Sequence, residues 1–160
     1  MGMSEQELIS IINNALKRLY KEDEGLIKKD LCERCLVHRL AFYLQVSFPT
    51  YFVDCEFNKS FYEDTVHKKI LSNINGNYVD IIVQRRSNNY GENLLCLEIK
   101  KSSNKRDRDK DRENLTILTA PDRFVYLLGF YVILGKTYQD TKIELYHNGN
   151  FIREVNVIQE

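Results

Sequence analysis

No apolar run in this sequence approaches the ~20 residues that cross a bilayer. The longest, Phe124 to Leu134, is about half that length and is interrupted by Gly129, so it reads as a buried strand and no membrane partner is expected. An excess of one charge is missing too. Twenty-three basic residues balance twenty-three acidic ones, so long-range steering toward a polyanion is weak and any nucleic-acid surface has to be a local cluster. Four cysteines are too few for a dense disulfide framework. No charged-then-apolar leader stands before the first amphipathic segment, and a reducing, cytoplasmic setting is expected. Repeats, linkers and low-complexity tracts are absent. What remains is 43% hydrophobic and 29% charged residues in a chain of 160, the balance and length of one folded domain.

Periodicity orders the elements. Leu8, Ile11, Ile12, Ala15, Leu16 and Leu19 follow helical spacing behind Ser4, with Glu7 placed to complete a capping box, so a helix is predicted over Ser4 to Tyr20. A polar stretch, Lys21 to Lys29, leads to a second predicted helix from Asp30 to about Val46, closed by Pro49. Aromatic and β-branched alternation predicts a strand at Tyr51 to Phe57. After a polar connection, Asn58 to Asn77, come strands at Tyr78 to Gln84 and Leu94 to Lys100, joined as a hairpin through the turn-rich Arg85 to Asn93. Alternating charges from Lys105 to Glu113 open an exposed helix that ends before Pro121. Phe124 to Leu134 is the most apolar strand, as a central position requires, and Ile143 to Tyr146, Asn148-Gly149 and Phe151 to Val157 form a final hairpin. The order predicts an α/β fold with a mixed central sheet flanked by helices.

Chemistry concentrates in two strands. Along Leu94 to Lys100, Leu95, Leu97 and Ile99 take one face, while Cys96, Glu98 and Lys100 take the other. Asp80 interrupts the apolar run Tyr78 to Val83, where an unpaired carboxylate is costly and needs a cation or a metal ion. If the strands pair, Asp80 and Glu98 converge, and two carboxylates with phosphate oxygens suit Mg²⁺ or Mn²⁺. The Ile99 carbonyl adds a ligand. Lys100, on the same face as Glu98, can position or help deprotonate an attacking water and stabilise charge on a phosphate.

Val79-Asp80, a hairpin loop and Glu98-Ile99-Lys100 resemble the signature of the PD-(D/E)XK nucleases, with Val79 at the often variable proline. The resemblance runs from about Asp30 to Leu134 and includes Glu33-Arg34-Cys35-Leu36-Val37-His38-Arg39-Leu40, similar to the first core helix of many members. It implies a restriction-endonuclease-like fold with residues 1–29 as an N-terminal helical extension, 30–134 as the core and 141–158 as a C-terminal hairpin. It also implies metal-dependent cleavage of nucleic acid, DNA before RNA, with Asp80, Glu98, Ile99 and Glu33 at the metal and Lys100 at the water. A homodimer or a partner protein would supply target selection. The rival implication is a nuclease-fold module that binds nucleic acid or protein without cutting.

Each residue also has a plainer reading. Glu33 lies on the apolar stripe with Leu36, Val37 and Leu40, yet it also completes a capping box with Asp30. Asp80 could pair with Arg85 or Arg86, and Glu98 with Lys100 as a solvated cross-strand pair. Asp54 and Glu56 share a strand face, Glu56 either supporting the site or simply exposed. Lys101 and Arg85 are candidates for phosphate contacts. The other basic residues from Lys105 to Arg112 are interleaved with Asp107, Asp109, Asp111 and Glu113, which cancel much of their field. Cys32, Cys35 and His38 lack the fourth ligand of a structural zinc site, and the order of elements argues against a thioredoxin-like role for the cysteines. His67 and His147 have no partners that mark a catalytic base.

Overall fold

Ser4 starts the first helix as its spacing predicts. In the computed structural model, which describes residues 2–57, 78–87 and 92–158, α1 spans Glu5–Glu22. The Ser4 hydroxyl accepts the Glu7 N–H at 3.3 Å and the Glu7 carboxylate accepts the Ser4 N–H at 2.7 Å, a reciprocal cap of the kind that contributes about 1 kcal/mol. The predicted polar stretch holds a short helix, α2 (Glu24–Lys28), too brief to carry a periodic signature. The connection 58–77, His67 with it, and the tip 88–91 of the turn-rich segment lie outside the described residues.

The second long helix, α3 (Glu33–Ser47), starts three residues later than its pattern suggests, with Cys32 at the cap position and no side-chain cap bond. The Asp30–Glu33 capping box is therefore overturned. Asp30 has a left-handed backbone, φ 50°, and its carboxylate takes the Lys101 ammonium at 2.7 Å. A contact distant in sequence has displaced the local one.

Six strands form one mixed sheet in the order of the chain: β1 (Phe52–Phe57), β2 (Val79–Gln84), β3 (Asn93–Lys101), β4 (Leu128–Leu134), β5 (Lys142–His147) and β6 (Asn150–Val155). All neighbours are antiparallel except β3 and β4. That parallel pair needs a crossover, which α4 (Arg108–Thr119) provides. The alternation read from β3 holds: Leu95, Leu97 and Ile99 enter a core with α1 and α3, while Cys96 packs with Leu115 and Leu118 of α4. Helices thus cover both faces of an α/β sheet.

β4 is shorter than its apolar run. Phe124 and Tyr126 are buried ahead of it, but Val125 has φ 56°, the Tyr126 N–H goes to the Leu118 carbonyl at 3.1 Å, and the Phe124 carbonyl accepts from the Asn93 amide at 2.7 Å. These bonds hold the approach to β4 against the helix and β3. Gly129 lets α4 lie close, since a Cβ there would stand 3.0 Å from Thr119 Cγ2. The last hairpin turns at Asn148 and Gly149, φ 49° and 74°, the left-handed pair of a type I′ turn. Among the described residues no helix is long and apolar enough to cross a membrane.

Candidate active site

The ladder between β2 and β3 pairs Ile82 with Cys96 and Ile81 with Leu97, so Asp80 and Glu98 come next, on the sheet face that α4 covers. There the Asp80 carboxylate accepts the Ile99 N–H at 2.7 Å. N–H and C=O of a strand residue face the same neighbour, so the Ile99 carbonyl also lies toward Asp80. Glu98, 3% exposed, accepts from the Asn114 amide of α4 at 3.0 Å and shares a hydrogen bond with Asp80.

Two carboxyls in contact, one buried and one partly buried, cannot both ionise cheaply. Burial pushes Asp80 up to about 6, against the opposing Ile99 and Glu98 hydrogen bonds. Burial first, and then the charge on Asp80, pushes Glu98 well above the usual carboxylate range. Both carboxyls are therefore held above their ordinary range, Glu98 by burial and then by Asp80. Neither carboxyl makes a salt bridge among the described residues: Arg86 pairs with Asp54 and Arg85 with Glu92 at 3.7 Å. The arginine partners that sequence reasoning offered to Asp80 are committed elsewhere.

Lys100 is held rather than solvated. Its ammonium lies 3.1 Å from Asp111 and 3.8 Å from Glu33, contacts that stand in place of the solvated Glu98–Lys100 pair of the plainer reading. Burial pulls its pKa down, but Asp111, Glu33 and Asp80 outweigh burial and raise it, so Lys100 stays a cation at neutral pH. Asp111 is itself raised by burial, against the charge of Lys100. The Glu33 carboxylate accepts the Lys101 N–H at 2.9 Å and the Asn104 amide at 3.4 Å, which fastens α3 to the end of β3.

Other predicted residues stand further out. The Lys101 ammonium is tied to Asp30 and to the Leu31 carbonyl at 3.0 Å, so it is a brace and not an open phosphate contact. Arg85 follows the far end of β2, five residues from Asp80, on the order of 16 Å along a strand, and its guanidinium lies over the Tyr51 ring. Glu56 pairs with Arg34 at 2.9 Å; its φ of 49° interrupts the alternation that would set it beside Asp54. It does line, with Asp80, Glu33, Arg34, His38 and Tyr78, a cavity of about 630 Å³ that opens the site to solvent.

Sequence reasoning missed Asp111 and Asn114. It placed Asp111 among solvated, self-cancelling charges, whereas Asp111 is partly buried against Lys100 and receives the Tyr131 hydroxyl at 3.3 Å. A signal was present: Asp111, Asn114, Leu115 and Leu118 follow i, i+3, i+4, i+7, one helix face.

Comparison with family models, with curated proteins and with solved structures returned no match. Among the described residues no three His, Cys, Asp or Glu side chains are grouped as a ready cation cage. Asp80 and Glu98 nevertheless offer only oxygen donors, and Mg²⁺ is commonly held by one or two carboxylates with substrate phosphate and water completing its shell.

Proposed function

We propose that this chain is a metal-dependent phosphodiesterase of the restriction-endonuclease-like class that cuts nucleic acid, DNA before RNA. The observation that carries this reading is the contact of the buried Glu98 carboxyl with the partly buried Asp80 carboxyl, with no salt-bridged cation among the described residues and with the Lys100 ammonium on the same strand as Glu98. Asp80, Glu98 and the Ile99 carbonyl would hold Mg²⁺ or Mn²⁺, which supplies charge neutralisation at the scissile phosphate and activation of water.

The protein's own groups divide the remaining work. The Ile99 N–H orients Asp80 and the Asn114 amide orients Glu98. A protonated Lys100 holds a phosphate oxygen and stabilises the charge that grows on it. Its raised pKa favours that role over taking a proton from water. Asp111 and Glu33 position Lys100, which makes Glu33 a supporting residue in this arrangement. A second copy or a partner protein supplies target selection.

A non-cleaving nuclease-fold module draws on one observation: the Lys100 ammonium is already in contact with Asp111. Incubating the protein with labelled single- and double-stranded DNA and RNA, with and without Mg²⁺ or Mn²⁺, separates the two. The nuclease reading expects metal-dependent cleavage that falls by roughly 10²-fold or more in Asp80→Ala and Lys100→Ala. Cleavage of no substrate, or cleavage that survives Asp80→Ala, supports the module instead.

A further inference from the structure

Two of the four cysteines sit side by side at the surface. Cys32 caps α3 and Cys35 lies in its first turn; both thiols are free and exposed. Their sulfurs are 3.0 Å apart, about 1 Å beyond the ~2.05 Å of a disulfide bond. The Cys35 N–H already donates to the Cys32 carbonyl at 3.1 Å, so the backbone is folded into the turn that a bond between them would close. The positive end of a helix dipole favours a thiolate over a thiol. The order of elements argues against a thioredoxin-like domain, but this pairing depends only on one helical turn.

We propose that Cys32 and Cys35 are a redox-active dithiol that closes reversibly to a disulfide by exchange with a small-molecule disulfide such as oxidised glutathione. One cysteine thiolate attacks a sulfur of the small disulfide, breaks its S–S bond and releases one thiolate, leaving a mixed disulfide on the protein. The other cysteine thiolate then attacks the protein sulfur of that mixed disulfide and expels the second small thiolate. One S–S bond breaks and one forms. The protein gives up two electrons and two protons, and the small disulfide becomes two thiols.

The surroundings suit a local change. The ring would span Glu33, whose carboxylate fastens α3 to β3 through the Lys101 N–H, while the Leu31 carbonyl and Asp30 hold the Lys101 ammonium. Cys96 is fully buried, and Cys55, exposed on β1, serves as a single-thiol reference within the same molecule.

The test equilibrates the folded full chain in buffers of stepped reduced-to-oxidised glutathione ratio, quenches with acid, alkylates the free thiols, digests with trypsin and analyses the peptides by mass. Trypsin cuts after Lys29, Arg34 and Arg39, which puts Cys32 and Cys35 on separate peptides, 30–34 and 35–39. The expected product is those two peptides joined, exceeding glutathione adducts at either cysteine by roughly ten-fold because the neighbouring thiol reacts intramolecularly. Cys55 then carries at most a glutathione adduct, and Cys35→Ser traps glutathione on Cys32. Separate adducts on Cys32 and Cys35, or both cysteines still alkylated at the most oxidising ratio, overturn the proposal. Neither result depends on whether the chain cuts nucleic acid.

Discussion

Glu144 on β5 and Glu98 on β3 both meet side chains of α4, yet their surroundings differ in kind. Glu144 receives Arg112 through two nitrogens, at 2.7 and 3.0 Å, and the Tyr146 hydroxyl at 2.9 Å. Burial raises its pKa, but Arg112 and Tyr146 outweigh burial and leave it lowered. Glu98 receives a neutral amide and faces a second carboxyl, and its pKa is raised. A carboxylate kept for structure has been matched with an arginine from its own chain. At Asp80 and Glu98 no salt-bridged cation stands among the described residues, which fits the proposed cation site better than a purely structural role.

The largest effect expected from this contrast is on activity. Removing a carboxylate at the candidate site, by Asp80→Ala or Glu98→Ala, should lower metal-dependent cleavage by roughly 10³-fold, as measured by single-turnover kinetics. Arg112→Ala should instead act on stability. It strands Glu144 and should cost about 2–3 kcal/mol in urea unfolding, with cleavage falling only as far as the folded fraction falls. Arg112→Ala with unaltered stability would erase the distinction between the two sites.

The pH dependences should have opposite signs. A carboxyl whose folded pKa is raised favours the fold while protonated. The Asp80 contribution is therefore present below its unfolded value of ~3.9 and is lost as pH rises through about 6. Glu144, lowered in the fold, contributes above its unfolded value, and that contribution is lost as pH falls through its folded value. Metal-free Asp80→Asn should lose the first limb and gain on the order of 1–2 kcal/mol at neutral pH, since the cost of burying a charge there is gone. Urea titrations across pH, with and without Mg²⁺, would show this, and Mg²⁺ should remove the loss in the wild type. The smallest effect should come from Arg34→Ala. Its pair with Glu56 is largely solvated, with the Arg34 side chain 85% exposed, so the melting temperature should not move measurably.

Much of this was legible because strands have period two. Asp80 stood out in an apolar run, and alternation in β3 put Glu98 and Lys100 on one face and Leu97 and Ile99 on the other, as the two cores show. Ser4 with Glu7, and Asn148-Gly149, are local signals that the fold kept. What escaped depends on contacts distant in sequence. Asp30 looked like a cap until Lys101, 71 residues away, is seen to take it. Asp111 and Asn114 were hidden because alternating charges along α4 look solvated unless the strand they face is known. The early end assigned to the Phe124 run depended on how Asn93 and Leu118 bind the backbone around Tyr126.

The most direct test of the central claim is a calorimetric titration of the protein with Mn²⁺, alongside Asp80→Asn confirmed as folded by circular dichroism. Saturable binding to the wild type is predicted, with proton release because burial raises both carboxyls and a cation favours their ionised forms, seen as a dependence of the heat on buffer ionisation enthalpy, and with loss of both in the variant. Binding equal in the two proteins, or none in the wild type even with nucleic acid present, would contradict it.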